Sequence, residues 1–243
     1  MTAAVLIAWL AGALATPNPL PLQLTPPPDL HIVFRSEFVY QASTRATSNE
    51  WWVSDGKSLA RQGDRLSIYR EDLGVVWRAS VKAGTYTETK IPPAGQPVPT
   101  PPAPGKVDMR TAGYDWEPSY DWVVKASGQS STIAGRPCRE FVATGDADYA
   151  EARVSFWACD PVPGVTRNPT DTVAAPLRSV SAKRMIFDTL AKHGGAWLLA
   201  AEEQQEPAIA PTMVMRVRVE TLEAVTAPPG TFEMPPTFKK AGR

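Results

Sequence analysis

Histidine and cysteine are nearly missing from this chain, with two of each in 243 residues. Few imidazole or thiolate groups are therefore on hand to ligate a metal or to serve as general base or nucleophile. Charge of one sign is also missing. Twenty-five Lys and Arg balance 25 Asp and Glu, and without a basic excess a nucleic-acid binder is not expected. No G-x-S-x-G, H-E-x-x-H, Walker A, G-x-G-x-x-G or C-x-x-C occurs. Those absences remove the sequence support for a serine hydrolase, a zincin, a nucleotide site and a dithiol redox centre. No cofactor, metal or catalytic residue is expected. An exported hydrolase using carboxylates alone would have many acidic pairs to choose from, and no spacing singles one out.

Long apolar runs are missing too. Ala3–Ala15 reads AAVLIAWLAGALA, thirteen residues without a charge, short of the ~20 that cross a bilayer. Pro17, Pro19 and Pro21 stop it. The small residues Ala13 and Ala15 suit a signal peptidase, so residues 1–15 are expected to be a signal peptide with Thr16 as the mature N-terminus. No Lys or Arg precedes Asp29, so the usual basic start is lacking, and no Cys follows the run to carry a lipid. The expected location is the periplasm or the exterior, with no membrane span after cleavage. A Pro-rich leader occupies 16–29, and a second Pro-rich run lies at 92–105 within a single domain spanning 30–240.

The two cysteines fit export. Cys138 and Cys159 bracket two strand-like segments, REFVAT and RVSFWA, around a polar turn. Pairing those strands sets the thiols opposite each other, and an oxidising compartment joins them. The loop closure contributes roughly 3 kcal/mol in the chain-entropy model.

Alternation of apolar and polar residues marks the strands. In LHIVFRSEFVY, Ile32, Phe34, Phe38 and Tyr40 share one side. RLSIYR sets Leu66 and Ile68 on one side, and VVWRASV aligns Val75, Trp77, Ala79 and Val81. TMVMRVRVETL alternates Met213, Met215, Val217 and Val219 with charged residues. One apolar and one charged side imply an antiparallel sheet wetted on one face. Residues 180–204 read differently. SAKRMIFDTLAKH has Ala182, Met185, Ile186 and Leu190 at helical spacing, and AWLLAAEEQQ after Gly194-Gly195 again reads helical, giving two short helices or one broken at the glycines. The expected fold class is α+β, a curved antiparallel sheet with helices on one side.

Other candidates have plainer readings. His31 alternates to the charged side of its strand, and His193 ends a helix where the dipole favours a cation; both are read as structural or solvent residues. Asp146, Asp148 and Glu151 resemble a fragment of a calcium loop but lack its remaining ligands, so a solvated hairpin tip is expected. Trp51, Trp52, Trp77, Trp116, Trp122, Trp157 and Trp197 could line a ligand cavity or simply fill a core.

Several blocks resemble a bacterial envelope domain family of unknown function. Ile68–Ile91 holds Arg70, Asp72, Trp77, Tyr86 and Glu88 in the order of that family's first block. Ser131–Gly145 is similar to its Ile-x-Gly turn and strand, SFWACD to its Trp-bearing strand, and FEMPPTFKK to its closing Phe-x-x-Pro segment. The resemblance implies a LolA/LolB-like half-barrel, an incomplete antiparallel barrel whose concave side is covered by helices. It carries over no catalytic residue. It implies an envelope protein that binds a lipid or acyl chain between sheet and helices. Candidate contacts from the sheet are Phe34, Phe38, Ile68, Trp77, Met213 and Met215. From the helices they are Met185, Ile186, Leu190, Trp197 and Leu198. The alternative is a structural or protein-interaction module with a filled core, its envelope partner docking on the Pro-rich segments or a sheet edge.

Overall fold

A computed structural model describes residues 29–91, 120–147, 150–208 and 210–241. The expected signal peptide, the leader up to residue 28, the run at 92–105, Trp116 and Asp148 lie outside the described residues.

Six strands follow one another by short turns: β1 (Leu30–Tyr40), β2 (Ser43–Ser54), β3 (Lys57–Gln62), β4 (Arg65–Arg70), β5 (Val75–Ser80) and β6 (Thr85–Lys90). Asp55-Gly56 joins β2 to β3, with Gly56 at φ 62°; a two-residue hairpin of matching twist needs that left-handed backbone. A second meander runs through β7 (Asp121–Ile133), β8 (Arg136–Ala147) and β9 (Ala150–Cys159). Two helices intervene, α1 (Thr170–Ala174) and α2 (Val180–Lys192). Then β10 (Trp197–Pro207), β11 (Met213–Ala224) and the short β12 (Lys239–Lys240) complete the chain. All twelve strands form one sheet in the order β12-β6-β5-β4-β3-β2-β1-β11-β10-β9-β8-β7. Every pairing is antiparallel except β12 with β6.

Register decides which side chains share a face, because direct cross-strand partners point the same way. One row reads Ile32, Trp51, Ala60, Ser67, Arg78, Thr87 from β1 to β6. The next reads His31, Trp52, Leu59, Ile68, Trp77, Glu88, on the opposite face. The sheet therefore carries two cores on opposite sides. On the Ile32 face, Leu30, Ile32, Phe34 and Val53 join Val217, Val219, Ala201, Val154, Phe156 and Phe141 beneath the helices. Ala182, Met185, Ile186 and Leu190 of α2 and Val173 and Ala174 of α1 close that core. On the His31 face, Leu66, Ile68 and Ala79 are buried, with Trp77, Tyr86, Phe232, Met234 and Phe238 packed against them. The C-terminal segment holding the last three is thus the cover of the second core. Each aliphatic side chain so enclosed stabilises the fold by roughly 1.5–3 kcal/mol.

Helix α2 is where its periodicity places it. Ser179 caps it by accepting from Ala182 N at 2.9 Å, and Gly195 N returns to Leu190 O at its end. The expected disulfide is present: Cys138 and Cys159 are direct partners of β8 and β9, with an S–S distance of 2.03 Å.

Two expectations are corrected. The fold class is not α+β with helices packed on a concave face. It is a mostly β chain, one large open sheet with helices of 5 and 13 residues that cover only part of one side. The second helix read at AWLLAAEEQQ is strand β10, so the helical insert ends at Lys192. Its Ala, Leu, Glu and Gln favour a helix in isolation. Here Leu198, Leu199, Ala200 and Ala201 are buried in a strand that pairs with β9 from Trp197 and with β11 from Ala200. An interior strand covered on both faces reads as an unbroken apolar run, which periodicity cannot tell from a helix.

Candidate functional site

The residues expected to line one apolar cavity do not meet around one. Phe34, Met185, Ile186, Leu190, Trp197 and Leu198 are packed inside the main core, with Ile186 and Leu198 at 0% exposure. Met215 packs at its margin. Phe38 and Met213 are half-buried farther along the same face, and the Arg178 guanidinium lies 5.5 Å from the Phe38 ring centroid. Ile68 and Trp77 are on the other face, beneath the C-terminal segment. Their separation from Phe34 is a correction: alternation assigns two sides to each strand, and only register aligns those sides between strands. Trp77 Nε1 donates to Glu88 Oε2.

The tryptophans divide similarly. Trp197 is core. Trp122 covers Gly145 and donates to Ser181 Oγ at 3.2 Å. A Cβ at Gly145 would lie 2.8 Å from the Trp122 ring, so this strand glycine is a seat for the indole. Trp52 stacks on His31 at 4.0 Å between ring centroids. Glu50 accepts from Trp52 Nε1 and meets His31 Nε2, and Glu223 lies 3.6 Å from His31 Nδ1. His31 is thus held by carboxylates and an indole. His193 caps α2 against the Phe141 ring, 4.6 Å between centroids.

Unoccupied space lies instead along the Ile32 face, beyond the reach of the helices. A cleft of about 630 Å³ opens at the ends of β1 and β2. Leu30, Trp51 and Val53 form one wall, and Val165, Arg167, Asn168 and Thr172 of the segment entering α1 form the other. That segment is pinned by local chemistry. Asn168 Oδ1 accepts from Thr170 N, and Thr170 Oγ1 accepts from Leu198 N, both at 2.9 Å. Arg167 reaches Asp55 at 3.5 Å. A second cleft of about 240 Å³ continues past Trp51 and Thr172 between β2, β3 and Pro176. A third of about 420 Å³ adjoins it at Ala60 and Gln62 and runs onto β4 and β5 at Arg65, Ser67 and Arg78. The result is a trough whose first end bears Asp29, Asp55 and Asp171 and whose far end bears Arg65 and Arg78.

A buried carboxylate organises the covered half. Glu203, 2% exposed, points from β10 into the main core. It accepts from Arg178 N at 2.7 Å, Ser179 N at 2.9 Å and Gln205 Nε2 at 2.6 Å. An anion facing the start of a helix is favoured by the N–H groups and the dipole. On the opposite half, Arg70 grips Asp72 through two 2.7 Å bonds, which hold that carboxyl at about 2. Arg70 also donates to Phe232 O at 3.1 Å, fastening the C-terminal segment. Ser80 Oγ and Lys82 N lower the Asp64 carboxyl, and Trp77 and Lys240 lower that of Glu88.

Asp121, Asp146, Glu151 and Glu206 are direct partners in a row across β7, β8, β9 and β10. Among the described residues no group of His, Cys, Asp or Glu is arranged to hold a metal. Nor does any described helix have the length and apolarity to cross a membrane.

Sequence reasoning missed Glu203, Arg65, Arg78 and the segment 165–172. RLSIYR and VVWRAS did carry a signal, since Arg65, Ser67 and Arg78 are the polar partners of the apolar alternation. They were read as wetted surface.

No family model matches the chain, and no curated protein matches it in sequence. Weakly similar solved structures include the following two. One is PNGF-II, at TM-score 0.35 and 8% identity, covering 85% of this chain and 30% of that one. The other is a DUF1329 family protein from Desulfovibrio piger, at TM-score 0.28 and 12% identity, covering 84% and 89%. This chain thus spans under a third of the PNGF-II chain. Likenesses this weak carry no argument about mechanism.

Proposed function

We propose that the protein is an extracytoplasmic, non-catalytic binding module that holds an elongated, amphiphilic ligand in the trough on the Ile32 face. The carrying observation is continuity. Trp51 and Thr172 belong to both the first and second clefts, and Ala60 and Gln62 to both the second and third. A lipid or acyl portion would lie against Leu30, Trp51, Val53 and Val165, since ligand sites combine an apolar wall with a few polar groups. The ligand thereby moves out of the space between sheet and helices, where side chains already fill the core. The disulfide supports an oxidising compartment, in keeping with a periplasmic or secreted protein.

Ala60 supplies the test, because it is exposed and borders two of the clefts. Ala60→Trp fills the trough and should change stability by no more than ~0.5 kcal/mol. Native mass spectrometry of periplasmic material should show a co-purifying species on the wild type and none on the variant. Equal masses bound to both would sink the trough as the site.

One observation favours an interaction module instead. Strand β7 is a 13-residue edge strand whose side chains are mostly exposed, and such an edge can accept a partner strand. Proline substitution at Ser127 should then abolish partner capture while leaving ligand occupancy unchanged.

A further inference from the structure

We infer that the far end of the trough binds an anionic glycan, an extended sugar chain bearing carboxylates; this rests on the trough being the ligand site. Arg65 faces Ser80 and Arg78 faces Ser67, so the two arginines are diagonal neighbours on β4 and β5, roughly 7–8 Å apart at Cα. Both are exposed and both border the 420 Å³ cleft. On the other face, Arg70 pairs with Asp72 and Lys240 with Glu88. Among the described residues no carboxylate pairs with Arg65 or Arg78. The strand positions sharing their face from β3 to β6 hold no acid at all, only Ser, Thr, Gln, Ala, Tyr and Val beside the arginines. The nearest acid in sequence, Asp64, is engaged by Ser80 Oγ and Lys82 N.

That composition selects a chemistry. Two unpaired guanidiniums want carboxylate or sulfate oxygens, which they grip bidentately. Gln62, Ser67 and Thr87 beside them offer the donors and acceptors that sugar hydroxyls use. Tyr69, half-buried on the same face, offers a ring edge for a sugar. A bilayer surface is disfavoured, because the large exposed apolar side chains among the described residues are Leu73, Val123, Val180 and Val225, none of them in strands β3 to β6. Charge complementarity therefore favours a polyanion of hydroxylated units as the polar part of the ligand, laid along the sheet from Arg78 toward Trp51.

The probe is a polygalacturonate oligosaccharide, with a neutral dextran oligosaccharide and anionic phospholipid vesicles alongside, measured by calorimetry on the full chain. The wild type should bind polygalacturonate saturably, with affinity falling as salt rises, and should ignore dextran. Arg65→Gln and Arg78→Gln should each weaken binding about tenfold or more, with the fold unchanged by circular dichroism. Retention of full affinity in the double variant, binding of dextran equal to polygalacturonate, or binding of vesicles without the glycan would each overturn the inference. Ala60→Trp separates the two claims. If it removes the co-purifying ligand while the arginine variants bind polygalacturonate like wild type, the trough stands and the glycan does not. If it removes nothing, the trough itself fails.

Discussion

The half of the sheet formed by β7–β11 and the half formed by β3–β6 solve the same problem in opposite directions. The first buries its Ile32 face under α1 and α2 and leaves its charged rows to water. The second buries its His31 face under the C-terminal segment and, among the described residues, leaves the Ile32 face bare. Strands β1 and β2 lie between and contribute to both: Ile32 and Val53 to one core, the His31–Trp52 stack to the other side. A sheet that changes its buried face along its width acquires an uncovered stretch where one cover stops and the opposite one begins. The trough lies at that changeover, so its existence follows from the mismatch in covers.

The largest expected effect tests the larger core. Leu198 is fully buried, and Leu198→Ala should cost ~2–5 kcal/mol, seen as a global fall in the denaturant midpoint. Next comes the anchor of the helical cover. Glu203→Ala removes the acceptor for two backbone N–H groups and should cost about 2–4 kcal/mol. Glu203→Gln keeps one acceptor oxygen and should cost less. Hydrogen exchange should rise first at the start of α2, and unchanged protection there would show that Glu203 does not hold the cover.

Ile68→Ala probes the smaller core, with an expected cost of ~2–3 kcal/mol. Its signature should be local. Exchange should quicken in β4, β5 and residues 226–238 before the main core responds. Identical exchange patterns for Ile68→Ala and Leu198→Ala would mean that the halves unfold as one unit and that the contrast is only geometric. The smallest effect is electrostatic. Arg70 holds the Asp72 carboxyl at about 2, below the ordinary ~3.9. This exposed pair therefore supports the fold above pH ~4 and loses that contribution as pH falls toward 2. Arg70→Met should return the Asp72 titration, followed by NMR, to the ordinary range and loosen Phe232. An unmoved titration would assign the shift to another cause.

Much of the fold was legible where one segment carries its own evidence. Alternation in RLSIYR and VVWRASV found β4 and β5, the Cys138–Cys159 pairing found the β8–β9 hairpin, and Ala182, Met185, Ile186 and Leu190 found α2. What was illegible depends on neighbours. Nothing in Ile68 or Trp77 says whether they join Ile32 or oppose it; the strand pairings through Leu59 and Trp52 decide that. The same holds for β10, whose helix-forming residues become a strand because β9 and β11 flank it. Glu203 looked like one polar residue among EEQQ, and its role depends on a helix start 24 residues earlier in the chain. The candidate site was the least legible part, since a space between covers belongs to no single segment.

The position of β1 has a consequence for how the chain is made. Its hairpin with β2 uses only local sequence, so it can form as soon as those residues emerge. Its other edge must await β11, because Leu30 is finally matched by Ala224. Until residues 213–224 have been delivered, the middle of the sheet presents an unpaired row of amides and carbonyls. Such long-range closure slows folding and invites pairing with other chains. During biogenesis the vulnerable species is thus a half-finished meander with a sticky centre, and the need for a holding chaperone should be greatest just before residues 213–224 arrive.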